Sequence, residues 1–225
     1  MVRPAELATF PVYWTLWGLA RIVGRTLFNI RFVGQQSLPI NGGLLLAANH
    51  ASFLDIPFLG CGVKRRLSFI GRDNLFPIPI LNWLLQHSGW IPIKDEAGDP
   101  NAFRRAERLL LEGKAVVIFP EGARTKTGRM SYGKPGLGRL VAKTGCPVLP
   151  VYIGGTFEAL PRGALWPRFY PVTVVFGKPI DFASERSKFS HRAFYRYVSQ
   201  TVMDEIKLLS SKKEGNASPA SELTD

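Results

Sequence analysis

The sequence predicts an α/β domain. Short apolar runs alternate with helix-periodic stretches from Asn29 onward, the pattern of strands and helices taken in turn. The length, 225 residues, fits one domain, and a composition 46% hydrophobic and 12% aromatic is enough to fill one sizeable core. The chain divides into an N-terminal interfacial helical segment over 1–29, the α/β domain over 30–210, and a tail over 211–225 expected to be disordered.

The stretch from Leu7 to Ala20 carries no charge and contains Phe10, Val12, Tyr13, Trp14, Leu16, Trp17 and Leu19. Its fourteen residues fall short of the roughly twenty that a bilayer-spanning helix needs, and no small-residue cleavage site follows as in a signal peptide. Arg21 and Arg25 then alternate with Ile22, Val23, Leu27 and Phe28 at helical spacing. The segment therefore reads as an amphipathic anchor lying in a membrane interface; the competing reading is a helix packed on the protein's own core.

Ile30 to Val33, Gly43 to Ala48 and Leu67 to Ile70 read as strands. Pro77 and Pro79 mark the entry to a short apolar helix at Trp83-Leu84-Leu85, whose far end reaches Gly89-Trp90-Ile91-Pro92-Ile93. Asp99-Pro100 has N-cap and first-turn chemistry for a helix that buries Leu109, Leu110 and Leu111 and stops at Gly113. Ala115 to Phe119 reads as a buried strand, Leu137 to Thr144 as a helix ended by Gly145, and Val148 to Ile153 and Val172 to Phe176 as strands. A last helix from His191 to Leu209, capped by Ser190, puts Phe194, Tyr197, Val198, Thr201 and Val202 on one face.

Two cysteines, Cys61 and Cys146, are too few for a disulfide framework, so a reducing cytoplasmic setting is expected. The formal net charge of +12 attracts polyanions: nucleic acid, anionic lipid headgroups or an acidic carrier protein. Nucleic acid is set aside, because Lys64-Arg65-Arg66 and Arg104-Arg105 are isolated clusters with no nucleic-acid motif beside them.

Two stretches carry chemistry. In Asn49-His50-Ala51-Ser52-Phe53-Leu54-Asp55, an imidazole and a carboxylate follow the apolar run that ends at Ala48. With Ser52 as N-cap, a helix would begin there, and Asp55 in its first turn could hold one ring nitrogen of His50 as N–H while the other stays free to accept a proton. No Ser or Cys nucleophile is evident beside the pair, which suits a reaction where one substrate's own hydroxyl attacks the other. Ser52-x-x-Asp55 is equally a capping-box pattern, and on these residues alone the two readings stand even. The second stretch, Phe119-Pro120-Glu121-Gly122-Ala123-Arg124-Thr125, turns a strand end sharply into a Gly loop bearing one acid and one guanidinium. Such a loop suits a phosphate monoester, although by itself it reads first as a solvated turn with a surface ion pair, because charged Gly turns are ordinary.

In this order and about seventy residues apart, the two stretches resemble the Asn-His-x-x-x-x-Asp and Phe-Pro-Glu-Gly-Thr-Arg-Ser blocks of the 1-acylglycerol-3-phosphate acyltransferase family, the lysophospholipid acyltransferases. Arg72-Asp73-Asn74-Leu75 with Pro77 or Pro79 resembles the family's Lys-x-Glu-Leu…Pro block, and Pro147-Val148-Leu149-Pro150-Val151 its late Val-Pro-Val strand. The likeness covers roughly residues 30 to 180. Asn74 stands in place of Glu, Ala123 in place of Thr, and Ile93-Lys94-Asp95 where the family often has an Asp-Arg pair.

The resemblance implies a mixed sheet flanked by helices, with the N-terminal helical segment lying in one membrane leaflet at the cytoplasmic face. It implies transfer of an acyl chain from acyl-CoA or an acylated carrier protein to the hydroxyl of a lysophospholipid, foremost 1-acylglycerol-3-phosphate, giving phosphatidic acid. His50 would be the general base and Asp55 its orienter. Glu121, Gly122 and Arg124 would contact the acceptor phosphate, and Arg72 the donor phosphate or the oxyanion. No metal and no cofactor is required, because a thiolate is already a good leaving group. The remaining readings are an acyltransferase for another lysolipid, or a non-catalytic lipid-binding protein on the membrane. A metal hydrolase is set aside because His87 and His191 sit in no ligand spacing. Gly128 to Lys134 misses the phosphate-binding loop of NTPases, since Pro135 replaces the required Ser or Thr.

Overall fold

Strands and helices follow one another as the change of period predicts. In the computed structural model, which describes residues 4–72, 89–93 and 99–215, α1 spans Pro4–Leu27, β1 Arg31–Val33, β2 Leu44–Ala48, α2 Asp55–Cys61, β3 Leu67–Arg72 and β4 Trp90–Ile93. The chain continues with α3 over Pro100–Leu111, β5 over Ala115–Ile118, α4 over Gly136–Thr144, β6 over Val148–Gly154, α5 over Thr156–Ala159, β7 over Thr173–Phe176 and α6 over His191–Gly215. The strands form one mixed sheet in the order β1-β7-β6-β2-β5-β3-β4. From β6 to β4 all neighbours run parallel, while β7, with its parallel partner β1, is antiparallel to β6.

The sheet is covered on both faces, and the side-chain alternation of β2 shows how. Leu44, Leu46 and Ala48 pack into the layer that holds Phe28, Phe58 and Leu59 from the end of α1 and from α2. Leu45 and Ala47 pack into the other, with Ala106 of α3, Leu140 of α4, and Phe194, Val198 and Val202 of α6. A strand buried on both faces has no solvent side to mark with polar residues, which is why β2 is an unbroken apolar run. Capping agrees with composition where it was legible. The Asp99 carboxylate accepts the Asn101 N–H at 2.8 Å at the start of α3, and Gly145, at φ +64°, closes α4 by donating its N–H to the Val141 carbonyl at 2.9 Å.

Three features differ from the sequence reading, and other expectations fall outside the described residues. Trp90–Ile93 is a strand and not the end of a helix; as β4 it lies at the sheet edge, where Pro92 breaks no interior ladder. The helix expected at Trp83-Leu84-Leu85 and the block from Asp73 to Pro79 lie outside the described residues, as do Lys94 and Asp95. α2 begins at Asp55 and not at Ser52. α6 continues to Gly215, so 211–215 is helical where a disordered tail was expected, and 216–225 lie outside the described residues.

The N-terminal helix has two apolar faces. Along one, the Tyr13 hydroxyl accepts the Leu67 N–H at 3.1 Å, the Trp17 indole donates to the Val63 carbonyl at 3.0 Å and Arg21 donates to the Cys61 carbonyl at 2.8 Å. These contacts, spaced four residues apart, dock α1 onto α2 and the segment leading into β3. The opposite side leaves Leu19, Ile22, Val23 and Leu27 exposed. The helix thus packs on the protein's own core and still presents an apolar stripe outward. Among the described residues no helix is long and apolar enough to cross a membrane.

Candidate active site

β2 and β5 are adjacent and parallel, with Ala47 opposite Ile118, so the turns leaving their C-terminal ends lie side by side. The chain leaving β2 passes to the face of the sheet covered by α2, and the chain leaving β5 passes to the face covered by α4; such a divergence to opposite faces opens a crevice at the strand ends. Asn49 to Asp55 and Phe119 to Thr125 are those two turns.

Asn49 is buried and behaves as one more rung of the sheet. Its side-chain amide donates to the Ile153 carbonyl at 2.8 Å and its oxygen accepts the Ile153 N–H at 2.7 Å, carrying the β2 to β6 ladder past the last paired backbone residues. His50 follows, fixed on several sides. Its N–H donates to Glu121 Oε1 at 2.9 Å, its carbonyl accepts the Thr125 N–H at 2.9 Å, and its ring stacks on Phe119 with centroids 3.9 Å apart and 14° between planes. Nδ1 lies 2.8 Å from Asp55 Oδ2. That oxygen also accepts the N–H groups of Ala51 at 2.7 Å and Ser52 at 2.8 Å, so it is an acceptor and Nδ1 must carry the proton. Nε2 is left with its lone pair and, among the described residues, no partner. The His50 side chain is 14% exposed and that of Asp55 is fully buried.

One carboxylate oxygen of Asp55 both ties the turn together and orients the imidazole, while Ser52 does not cap the helix, which begins at Asp55. Ser52 is no nucleophile in this arrangement. It is buried, and its hydroxyl donates to the Leu160 carbonyl at 2.8 Å while accepting the Leu54 N–H at 3.2 Å.

Glu121 is buried with both oxygens committed: Oε1 to the His50 N–H, Oε2 to the N–H and hydroxyl of Ser131 at 2.8 and 3.0 Å. It brackets the loop against His50. Gly122 sits at φ +73°, a conformation that favours glycine, and the Lys134 ammonium lies where a Cβ would be, 2.7 Å from that position. Arg124 stacks its guanidinium 3.6 Å from the centre of the Phe53 ring. Burial first, then the nearby Arg162, lowers its affinity for its proton, and Asp55 opposes them. Two neighbouring guanidiniums repel, and an anion between them would relieve that repulsion. Arg72 ends β3, one strand beyond β5 on the same edge of the sheet.

His50, Asp55, Glu121, Gly122 and Arg124 are thus gathered around one crevice, while Arg72 stands at the end of β3, two strands from β2. Asn49, Phe53 and Phe119 were quoted within the two stretches without a role, and they fix the imidazole and the guanidinium. Ser131 and Lys134 lie in the stretch set aside as a phosphate-binding loop of NTPases and Arg162 carried no signal; all three come from irregular segments that only the folded chain brings to the crevice. Among the described residues no group of three or more His, Cys, Asp and Glu could hold a metal ion.

Fold and crevice define an α/β protein with an oriented imidazole, no adjoining hydroxyl or thiol nucleophile among the described residues, and a basic rim at the C-terminal edge of its sheet. The chain belongs to the acyltransferase family, whose model matches residues 29–154. It is 34% identical over 140 residues to a chloroplastic 1-acyl-sn-glycerol-3-phosphate acyltransferase of Arabidopsis thaliana, covering 61% of this chain and 39% of that protein. It is 30% identical over 151 residues to a lyso-ornithine lipid O-acyltransferase of Pseudomonas aeruginosa, covering 65% of this chain and 55% of that one. The crystal structure of the 1-acyl-sn-glycerophosphate acyltransferase PlsC of Thermotoga maritima superposes with a TM-score of 0.71 at 26% identity, covering 92% of this chain and 84% of that one. The chain aligns with less than half the length of the plant relative and with rather more of the bacterial proteins.

Proposed function

We propose that this protein transfers an acyl chain from a thioester to the free hydroxyl of 1-acylglycerol-3-phosphate, giving phosphatidic acid. One observation carries the reading: among the described residues every hydrogen-bonding group of His50 except Nε2 is engaged, and that nitrogen shares a crevice with a guanidinium that no described carboxylate pairs. Nε2 removes the proton of the acceptor hydroxyl as its oxygen attacks the thioester carbonyl. The C–S bond of the tetrahedral intermediate then breaks, and the thiolate recovers the proton from the imidazolium, which Asp55 stabilises meanwhile. Arg124 holds the acceptor phosphate, with Lys134 and Arg162 adding positive charge at the rim and Arg72 reserved for the donor side. The donor is acyl-CoA or an acylated carrier protein, and the chemistry uses no cofactor. The exposed stripe of α1, basic at Arg25, rests on an anionic membrane surface at the cytoplasmic face.

The test is thiol release by the purified chain with acyl-CoA and with acylated carrier protein, across lysophosphatidic acid, lysophosphatidylcholine and an acylated amino acid, with products weighed by mass spectrometry. Phosphatidic acid is the expected main product. A protein that binds these lipids and releases no thiol would be the non-catalytic alternative.

Glu121 is a positioning residue in this reading and not a phosphate contact, since its two oxygens already serve His50 and Ser131 and its charge would repel a phosphate. Glu121→Ala strands two backbone N–H groups, at about 1 to 3 kcal/mol each, and frees the His50 backbone. The expected result is a fall in kcat of roughly a hundredfold with the acceptor KM little changed. A raised acceptor KM at full kcat would return Glu121 to the acceptor site.

A further inference from the structure

We propose that the segment 160–171, between α5 and β7, is a second lipid contact whose tip seats in the headgroup region of an anionic bilayer beside the outer stripe of α1. The proposal rests on the reading that the acceptor is a membrane lipid, and it adds an element that neither the sequence motifs nor α1 supply. Leu165, Trp166 and Phe169 are 88%, 83% and 71% exposed within five residues, an apolar cluster too concentrated for an ordinary solvated loop.

The backbone holds these side chains outward. The Arg168 N–H donates to the Ala159 carbonyl at 2.7 Å and the Ala164 N–H to the Pro161 carbonyl at 3.1 Å. The segment is also joined to the end of α1: the Val172 N–H donates to the Phe28 carbonyl at 3.0 Å, and the Phe169 ring meets the Phe28 ring edge-on at 6.1 Å. The loop tip and the exposed Leu27 and Val23 therefore belong to one side of the molecule.

Charge chooses the occupant. No acidic residue lies between Glu158 and Asp181, where Arg162, Arg168 and Lys178 stand, and none between Glu6 and Asp55, where Arg21, Arg25 and Arg31 stand. A second copy of this chain would bring the same positive charge to the contact, whereas anionic headgroups neutralise it while the aromatic rings enter the acyl boundary. The same loop starts at the crevice, since the Leu160 carbonyl holds the Ser52 hydroxyl and Arg162 acts on Arg124. Contact with the bilayer is in this way linked to the turn that carries the imidazole.

The experiment is co-sedimentation of the full chain with vesicles of equal parts phosphatidylglycerol and phosphatidylcholine. Leu165→Ala with Trp166→Ala, two side chains that stand clear of the core, is expected to lower the partition constant by roughly tenfold with an unchanged melting temperature. Trp166→Lys adds a positive charge and is still expected to weaken partition, which separates apolar contact from attraction alone. The ratio of turnover on vesicle-embedded to short-chain soluble lysophosphatidic acid should fall with partition. Partition within twofold of the parent would overturn the proposal. So would sedimentation equilibrium showing a dimer that the double variant dissociates while vesicle binding persists. Absence of thiol release by the parent would remove the acyl-transfer reading and leave partition to decide the loop on its own.

Discussion

Replacing His50 by Gln is expected to leave the fold intact and lower turnover by about 10² to 10⁴, the range that a general base contributes. The separation of fold from function follows from how His50 is held. Its backbone bonds to Glu121 and Thr125 do not depend on the side chain, and only the ring contacts with Asp55 and Phe119 are lost. Circular dichroism and thermal melting should therefore match the parent while kcat collapses. Asp55→Asn should cost less in rate, because an amide oxygen can still accept the Ala51 and Ser52 N–H groups while the charge that stabilises the imidazolium is gone. A His50 variant as active as the parent would leave the proposed reaction without its base.

The second large effect concerns Arg124. Arg124→Ala is expected to raise the acceptor KM and lower kcat/KM about ten- to a hundredfold, leaving the donor KM nearly unchanged, since a charge-assisted hydrogen bond contributes roughly 1.5 to 3 kcal/mol. Arg124→Lys should recover little. An ammonium makes no two-pronged contact with phosphate, and it stacks less well on the Phe53 ring that now holds the guanidinium. Acceptors without a phosphate monoester should be less sensitive. Equal loss on both kinds of acceptor, or a raised thioester KM, would move Arg124 to the donor side.

The legible parts of the molecule were those written in neighbouring residues. The five-residue spacing of His50 and Asp55 sets their contact through one turn, and the unbroken apolar runs at Leu44 and Ala115 marked buried strands because both faces of the sheet are covered. Strand order was not written there: β5 inserts between β2 and β3, and no local pattern encodes which distant strand becomes a neighbour. The partners of Glu121 were not written there either: the family resemblance implies an acceptor-phosphate contact, and only the register of β2 with β5 brings its carboxylate under the His50 N–H. The edge position of β4 likewise could not be known, so nothing local separated a strand at Trp90 to Ile93, where Pro92 is tolerated only at an edge, from the end of a helix. The two faces of α1 were both present in its sequence, and the sequence offered no means of assigning each to core or exterior.

The ties that hold the imidazole reach across 71 residues to Glu121, 104 to Ile153 and 108 from Ser52 to Leu160. Contacts so distant close large loops, which makes them slow and late in folding. A nascent chain ending after β5 already contains both chemical turns, yet it lacks the strand that receives Asn49 and the carbonyl that receives Ser52. The reactive geometry is thus one of the last features the chain acquires, and recovery of turnover during refolding should lag behind the recovery of helical signal.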